Sequence, residues 1–385
     1  MRYEGKSDSR LSPTPDARYP APGTRHPSPL TRHPSPAKLM IRVPNWVGDA
    51  VMAEPALREL RRIFRESHIT LVARPWVAGL FDGEGLTDEV IPLPDARGLV
   101  KTAGRFLSGA RRLRRERFDF AVLLQNAFGA ALLARAAGVG KIAGYPTDGR
   151  RALLDQVIPL EPDYKTSHQV RYYLNIAARL EQEFSGESHI KIETARPRLC
   201  VAEEAKERAA RMLSEQGMTT APIVAINPGA TNSRAKQWLA ERFAETADLL
   251  AERDGFQTII VGASGDIEVA DEVAERMRSR AVVLAGRTSI AELKALLACS
   301  SLVVSNDTGA AHVSAALGVP TVVVFGPTEH VSTRPLSDVA ALVRHDVECS
   351  PCMLRDCPID HRCMTRVEVN DVYFAARNLL TGAAR

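Results

Sequence analysis

A short turn, Pro-Asn-Trp-Val-Gly-Asp at residues 44–49, ends in an aspartate that could act as a general base. It follows an apolar segment that we predict to be a strand, and it opens a helical segment. Gly48 permits a sharp turn or a close backbone approach, so Asp49 should lie near the helix N-terminus at the mouth of the sheet. The alternative is that Asp49 only caps the helix, and this local sequence alone favours capping. A capping aspartate should have a lowered pKa, which suits a proton acceptor.

A second segment, Ser-Asn-Asp-Thr-Gly-Ala-Ala-His at residues 305–312, joins an apolar strand to a helix of small residues. Gly309 leaves backbone N–H groups approachable, and the positive end of the helix dipole favours an anion there. Thr308 can add a hydroxyl donor. A diphosphate is the natural ligand of such a turn. A plain capping turn is the weaker alternative, because three polar residues, a glycine and a histidine converge on one strand end.

Two further polar segments follow predicted strands in the second half of the chain. Residues 227–238 contain Lys236, a mobile point charge suited to phosphate, although a solvated surface lysine is an equally good interpretation of that residue alone. Residues 262–266, Gly-Ala-Ser-Gly-Asp, end in Asp266. An acidic residue at this place can hydrogen-bond a ribose, or it can cap the following helix.

Composition and missing motifs exclude several function classes. The 385 residues are 45% hydrophobic and 25% charged, with a net charge of +4, which is typical of a soluble protein and not of a nucleic-acid binder. No Gly-x-Gly-x-x-Gly sequence follows a predicted strand, and no Walker A sequence occurs. These absences argue against a dehydrogenase and against a P-loop ATPase.

Apolar segments that read as strands alternate with helical segments, which predicts an α/β fold with parallel sheets covered on both faces. We expect two Rossmann-like, doubly wound domains, residues 39–200 and 201–360, that face a central cleft at the carboxyl ends of their strands. Residues 361–385 should form a C-terminal helix that can pack back on the N-terminal domain. The predicted strands are residues 39–43, 69–73, 90–93, 120–124, 141–145, 223–226, 258–261, 282–284, 302–305 and 321–325.

The first 38 residues are rich in Pro, Ser and Arg and contain a tandem Thr-Arg-His-Pro-Ser-Pro repeat. Such a segment cannot bury enough apolar surface to offset the entropy of ordering, so we expect a disordered extension. The N-terminus has no apolar core of a signal peptide, and no stretch of the chain is apolar enough to cross a bilayer. We therefore expect a cytoplasmic protein.

The first turn with Gly48 and Asp49, the Lys236 loop and residues 306–312, in this order, resemble glycosyltransferase family 9, the bacterial lipopolysaccharide heptosyltransferases. The resemblance covers the chain from about Met40 to its C-terminus. Residues 44–52 are most similar to the heptosyltransferase II branch of that family. The resemblance implies a GT-B fold and an inverting reaction that needs no metal ion. It also implies ADP-L-glycero-β-D-manno-heptose as the donor and heptosyl-Kdo2-lipid A as the acceptor.

The same resemblance assigns roles to particular residues. Asp49 matches the catalytic base, which would take a proton from the acceptor hydroxyl. No metal ligand is implied, since a lysine and helix N–H groups can stabilise the charge on the departing ADP. The residues that match the donor site are Thr231, Asn232, Lys236, Asp266, Asp307, Thr308, Gly309 and His312.

Two sets of residues lie outside these motifs. Arginines at positions 58, 61, 62 and 65 and a run at positions 111–117 could attract an anionic acceptor at the inner membrane surface, or they could be ordinary solvated helix faces. Clustered thiols in a cytosolic protein suggest a metal more than disulfides. The alternatives are a small metal-stapled loop and reduced packing cysteines. The clustered cysteines are Cys349, Cys352, Cys357 and Cys363.

Other functions fit the same fold. A transferase of this fold could use another sugar nucleotide or another acceptor. A non-catalytic nucleotide-binding or metal-responsive protein is the alternative from a different class, and the presence of both Asp49 and Lys236 speaks against it.

Overall fold

The computed structural model describes residues 35–94, 99–231 and 233–382, and its strands form two six-stranded sheets. The first sheet has the order β3-β2-β1-β4-β5-β6, and neighbouring strands are parallel. Its strands are β1 (Lys38–Arg42), β2 (His68–Ala73), β3 (Glu89–Pro92), β4 (Phe120–Leu123), β5 (Lys141–Gly144) and β6 (Gln156–Val157). Its helices are α1 (Val47–Met52), α2 (Glu54–Ile63), α3 (Pro75–Ala78), α4 (Leu99–Glu116), α5 (Phe128–Ala136) and α6 (Gln169–Ser185).

The second sheet repeats this arrangement with the order β12-β11-β10-β7-β8-β9. Its strands are β7 (Ile223–Asn227), β8 (Gln257–Ile260), β9 (Ala281–Val283), β10 (Leu302–Asn306), β11 (Thr321–Val324) and β12 (Ala340–Val343). The helices of this half are α7 (Glu203–Glu215), α8 (Ala240–Asp254), α9 (Ile267–Arg276), α10 (Ile290–Ala298), α11 (Gly309–Ala316), α12 (His330–Thr333), α13 (Arg362–Thr365) and α14 (Val369–Thr381).

The apolar runs of the sequence become central strands because helices cover both faces of each sheet. Every residue of β7, β10 and β11 is buried. The strand order reverses between β1 and β4 in the first sheet and between β7 and β10 in the second. A crevice opens at such a reversal, at the carboxyl ends of the strands, and ligands of doubly wound folds bind there.

The α/β fold of two doubly wound units is confirmed. Each of the ten predicted strands lies within one residue of an observed strand at both of its ends. Residues 1–34 of the predicted N-terminal extension lie outside the described residues, and Lys38, its last residue, already belongs to β1.

The C-terminal helix packs on the second domain. Its main neighbours are α8 and strands β10, β11 and β12. Val372, Tyr373 and Ala376 form its buried face and join a core cluster that also contains Trp238. The expectation that this helix returns to the N-terminal domain is wrong, because its apolar face covers the second sheet.

The two domains share buried contacts as well as a cleft. One apolar cluster contains Leu57 of the first domain and Val303 of the second. The ammonium group of Lys294, 2% exposed, donates to the carbonyl oxygens of Leu80 and Asp82, each at 2.9 Å, and lies 3.3 Å from Oε1 of Glu84. A buried charge therefore joins α10 to a loop of the first domain.

Candidate active site

Asp49 is the third residue of α1, after β1. The N-cap residue is Trp46, and within the described chain no side-chain hydrogen bond caps this helix, so Asp49 is not its cap. Burial raises the pKa of Asp49 to about 6, the positive charge of Lys236 lowers it, and the negative charge of Asp307 raises it. The expected lowering of this pKa is therefore wrong, since loss of water outweighs the helix end and the lysine.

Helices α1 and α11 bring the two domains together at two glycines. A Cβ atom placed on Gly309 would lie 2.7 Å from Cβ of Val47, closer than side-chain carbons approach one another. A Cβ atom on Gly48 would lie 3.0 Å from Cδ2 of His312. Glycine at both positions lets the N-terminal turns of the two helices meet. The aspartate turn of the first domain thus lies directly against the predicted diphosphate turn of the second.

Lys236 and Asp307 form a charged pair on the second-domain side of the cleft. Nζ of Lys236 lies 2.8 Å from Oδ2 of Asp307 and donates to the Asp307 carbonyl oxygen at 3.3 Å. The hydroxyl of Thr328 donates to the same Oδ2 at 2.7 Å. Both members of the pair act electrostatically on Asp49, so the predicted base and the predicted phosphate ligand belong to one charged cluster.

The hydroxyl of Thr308 has a partner within the protein. It donates to Oδ1 of Asn227 at 2.7 Å, and the hydroxyl of Ser305 donates to the same oxygen at 3.1 Å. Thr308 is the N-cap residue of α11, and Gly309 is its first residue. The backbone N–H groups at this helix start, rather than the Thr308 hydroxyl, are therefore the donors best placed for an anion.

His312 lies inside the contact between the two domains. It is 5% exposed, and burial lowers its pKa to about 4, so the ring is neutral at pH 7. A neutral imidazole can offer a hydrogen bond but no positive charge. The positive charge of this cluster therefore comes from Lys236.

Asp266 fills the space above two glycines at the carboxyl ends of β7 and β8. A Cβ atom on Gly229 would lie 2.3 Å from its Oδ1, and one on Gly262 would lie 2.9 Å from its Cβ. Its Oδ2 accepts the Ala263 N–H at 2.8 Å, and burial raises the pKa of this carboxyl group. The capping contact is thus present, and the group also lies at the strand ends where a ribose acid belongs.

The remaining donor-loop residues are Thr231 and Asn232. Thr231 is exposed, close after β7. Asn232 lies outside the described residues.

Residues 106–362 match the profile of glycosyltransferase family 9 (heptosyltransferase).

The chain belongs to glycosyltransferase family 9.

Its relatives include lipopolysaccharide heptosyltransferase 2 of Escherichia coli (strain K12), 29% identical over 312 residues, 80% of this chain and 88% of that protein. Lipooligosaccharide heptosyltransferase 2 of Campylobacter jejuni subsp. jejuni serotype O:2 is 28% identical over 351 residues, which are 89% of this chain and 98% of that protein. The solved structure of Escherichia coli ADP-heptose lipopolysaccharide heptosyltransferase II superposes with a TM-score of 0.75 at 25% identity, over 90% of this chain and 100% of that one. These findings confirm the GT-B fold and a glycosyltransferase enzyme.

Two asparagines, Asn227 at the end of β7 and Asn306 at the end of β10, hold together the loops of the donor side. The Asn227 amide donates to the Val261 carbonyl at 2.9 Å while its oxygen accepts from Ser305 and Thr308. The Asn306 amide donates to the Pro228 carbonyl at 2.7 Å, and its oxygen accepts the Trp238 N–H at 2.9 Å. The sequence does indicate such a role, because each asparagine ends an apolar strand, and a buried polar side chain there must find hydrogen-bond partners.

The arginines at positions 58, 61 and 62 of α2, and Arg65 just after it, are paired with carboxylates. Nitrogens of Arg58 and Arg62 lie 2.6 Å from oxygens of Glu54 and Glu181, respectively, Arg61 lies 2.5 Å from Asp88, and Arg65 lies 3.1 Å from Glu66. This face therefore carries both charges and is not a purely basic patch. The run at positions 111–117 differs, since its five arginines are exposed.

The clustered cysteines carry free thiols. Burial raises the pKa of Cys363 to about 11, and the neighbouring thiols of Cys349, Cys352 and Cys357 raise it further. Cys363 is buried in the core of the second domain, and Cys349 packs against the same core. Across the described ranges, no group of three or more His, Cys, Asp or Glu side chains could hold a metal ion. Cys349 and Cys363 contribute to the packing of the second-domain core.

No helix within the described ranges combines the length and the apolar character needed to span a bilayer.

Proposed function

We propose that this protein transfers L-glycero-D-manno-heptose from ADP-heptose to heptosyl-Kdo2-lipid A, with inversion at the anomeric carbon. The observation that carries the proposal is the joint position of Asp49, from the first domain, and the Lys236–Asp307 pair, from the second, in one charged cluster. The names of the relatives supply ADP-heptose and lipopolysaccharide as substrates, and the resemblance of the sequence motifs implies heptosyl-Kdo2-lipid A as the acceptor. Two domains that each contribute one half of a group transfer fit an enzyme better than a non-catalytic binding protein.

Asp49 is the general base of the proposed reaction. Its carboxylate takes the proton of an acceptor heptose hydroxyl while that oxygen attacks the anomeric carbon. The bond between the anomeric carbon and the β-phosphate oxygen breaks, and ADP departs with that electron pair. Attack from the side opposite the leaving group gives inversion. The raised pKa of Asp49 makes it a stronger base than an ordinary aspartate while it stays mostly ionised at pH 7.

Lys236 stabilises the departing ADP. Its ammonium group leaves Oδ2 of Asp307, 2.8 Å away, and meets the diphosphate, which is the stronger anion. The N–H groups at the start of α11 face the same charge and require no rearrangement. These groups take the place of a divalent cation, so the proposed reaction needs no metal. Dialysis against EDTA should leave transfer unchanged, and restoration of lost activity by Mg²⁺ would contradict this part.

The rest of the donor occupies the crevice between β7 and β10. Asp266 binds the ribose hydroxyls from the ends of β7 and β8, and Asp307, once released by Lys236, contacts the heptose. Thr231, Asn232, Thr308 and Gly309 border the diphosphate, while neutral His312 offers a hydrogen bond beside it. Support for this arrangement is the common position of these residues, apart from Asn232, at the carboxyl edge of the second sheet.

Peripheral contact with the cytoplasmic face of the inner membrane is part of the proposal. Helix α4 carries the exposed arginine run, and the neighbouring α4–α5 surface exposes Leu107, Phe128 and Leu132. Cationic and apolar side chains together suit an anionic bilayer surface. The full chain should sediment with phosphatidylglycerol vesicles more than with phosphatidylcholine vesicles. Arg111→Glu with Arg115→Glu should weaken this at least about tenfold, whereas Arg276→Glu with Arg278→Glu, on the second domain, should not.

The central experiment combines the purified full chain with ADP-heptose and heptosyl-Kdo2-lipid A and measures the product mass. Addition of one heptose supports the proposal, and no transfer to this acceptor would sink it. Kdo2-lipid A and other sugar nucleotides, offered in parallel, separate the alternative acceptors and donors. Asp49→Asn should abolish transfer while ADP binding, measured by calorimetry, stays nearly intact. Undiminished turnover of that variant would remove Asp49 from the base role.

A further inference from the structure

Two of the three tryptophans in the chain are exposed beside Asp49. Trp46 is 52% exposed and Trp76 is 43% exposed, whereas Trp238 is 1% exposed and packs in the second domain. Tryptophan is highly buried on average, so two exposed indoles at one place are unusual. Exposed apolar surface of this kind commonly marks a binding site.

A hydrogen bond fixes the position of the Trp76 ring. Its Nε1–H donates to the carbonyl oxygen of Asn45 at 2.7 Å, the residue directly before Trp46. The Asn45 side chain accepts from Nη2 of Arg42 at 2.9 Å, so the turn itself is held in place. The polar end of the Trp76 indole is thereby satisfied. A ring held in this way offers its faces to a ligand at little cost in conformational entropy.

Both tryptophans belong to the first domain and follow the carboxyl ends of two of its strands. Trp46 stands three residues before Asp49, at the N-cap of α1, and Trp76 lies in α3, shortly after β2. The Lys236–Asp307 pair of the donor site belongs to the second domain. An acceptor must bring its hydroxyl to Asp49 from the side that the donor does not occupy. The two tryptophans lie on that side.

The charge near these rings suits an acidic sugar. Burial lowers the pKa of Arg42 to about 9, and the nearby charge of Arg74 lowers it further. The buried Arg42 guanidinium lies against the turn, since its Nη2 donates to Oδ1 of Asn45, and Arg74 directly precedes the helix that carries Trp76. Sugar rings present faces of C–H groups that pack on aromatic rings, while a carboxylate on a neighbouring sugar would be attracted by the two arginines.

We propose that Trp46 and Trp76 form a stacking subsite for a pyranose ring of the acceptor saccharide, next to Asp49. The inference rests on the proposed heptosyl transfer, because that reaction requires a saccharide acceptor on the first-domain side. It assigns the two rings to the saccharide and not to acyl chains or a bilayer. It also predicts that they act on acceptor affinity and leave donor affinity unchanged.

Steady-state kinetics of Trp46→Ala and Trp76→Ala test the proposal. Each variant should raise KM for heptosyl-Kdo2-lipid A about tenfold while KM for ADP-heptose stays within about twofold. Trp76→Phe, which keeps a ring, should recover part of the loss. Phe374→Ala is the matched control, since Phe374 is 58% exposed on α14 of the second domain. Unchanged acceptor KM in both alanine variants, in an active wild-type background, overturns the subsite and leaves the proposed function standing.

A binding measurement separates failure of the subsite from failure of the proposed heptosyl transfer. Because Trp238 is buried, the fluorescence response of the chain to a surface ligand should come from Trp46 and Trp76. The deacylated heptosyl-Kdo2 saccharide should change that fluorescence saturably, and the double variant Trp46→Phe with Trp76→Phe should lose the change. A change seen only with lipid vesicles would assign the rings to the membrane and overturn the proposal. Saccharide binding without any transfer to this acceptor would instead support the subsite and overturn the proposed heptosyl transfer.

Discussion

Asp49 carries a testable pH dependence. A general base works in its deprotonated form, so kcat/KM should be constant above its pKa and fall about tenfold per pH unit below it. Because burial raises that pKa to about 6 from the model-peptide value of 3.8, the fall should begin near pH 6. The measurement is kcat/KM for the acceptor from about pH 4.5 to about pH 8.5. A profile that stays flat down to about pH 4.5 would contradict the role of this carboxyl group.

Two neighbouring variants give this prediction an internal control. The charge of Lys236 lowers the pKa of Asp49, so Lys236→Met should shift the acidic limb to higher pH. Asp307→Asn should shift it to lower pH, since the Asp307 charge raises the same pKa. Lys236→Met should also reduce kcat by about a hundredfold or more, because the leaving group loses its cation. If the acidic limbs of the two pH profiles do not move in opposite directions, the group that titrates is not Asp49 in this cluster.

At the scale of the elements, the contact between α1 and α11 sets the distance between the two halves of the site. Gly309→Ala would put a Cβ atom 2.7 Å from Cβ of Val47 and would push the helices apart. We expect kcat to fall at least about tenfold, since small misplacements of reacting groups are costly. Gly129→Ala in α5, where a Cβ meets open space, is the matched control and should retain full activity. Full activity of Gly309→Ala would show that the close approach is dispensable.

The cysteine-containing loop supports the loop that holds Lys236. The Ala235 N–H donates to the Arg355 carbonyl at 2.9 Å, and Nε2 of His361 lies 2.7 Å from the Ala235 carbonyl. His361→Ala should therefore raise KM for ADP-heptose about fivefold to tenfold, from the loss of one partly buried hydrogen bond. His361→Gln, which keeps a donor, should recover part of it. His345→Ala, on an exposed contact to Asp371, is the control. Equal changes of KM for ADP-heptose in His361→Ala and His345→Ala would contradict a specific role of His361 in supporting the Lys236 loop.

Local patterns predicted most of the elements and failed where an element has weak local character. The ten predicted strands are apolar runs in the sequence, whereas β6 is two half-buried residues and β12 is buried at one of four. These edge strands lack the continuous apolar run that marks a central strand. The residues of the candidate site show the same difference between local patterns and long-range contacts. Asp49, Lys236 and Asp307 follow predicted strands, but the bond of Asn227 to Thr308 joins residues 81 positions apart. The raised pKa of Asp49 depends on burial that only the assembled domains create.

At the scale of the whole molecule, the cleft is built from two domains joined by one buried apolar cluster. The carboxylate comes from the first domain and the cation from the second, so neither domain alone contains the proposed reaction. The relative position of the domains is therefore part of the active site. Groups that fix that position should affect stability and catalysis together.

Lys294 is the clearest such group, because its buried ammonium joins α10 to the Leu80–Glu84 loop of the first domain. Lys294→Ala leaves the Glu84 carboxylate, whose side chain is 8% exposed, without this partner. Breaking a buried pair from one side costs about 3–5 kcal/mol, so the free energy of unfolding in urea should fall by that order. The kcat of the variant should fall as well, since the two halves of the site lose a fixed spacing.

The double variant Lys294→Met with Glu84→Gln decides whether the unpaired charge or the lost packing causes the loss of stability in Lys294→Ala. It removes both charges and keeps most of the side-chain volume, so it should be more stable than Lys294→Ala by about 1–3 kcal/mol. Lys206→Ala, in an exposed pair with Glu203 on α7, should change stability by less than about 1 kcal/mol. If Lys294→Ala proved as mild as this control, the buried pair would not anchor the domains. The spacing of the cleft would then rest on the apolar cluster and on the contact between α1 and α11.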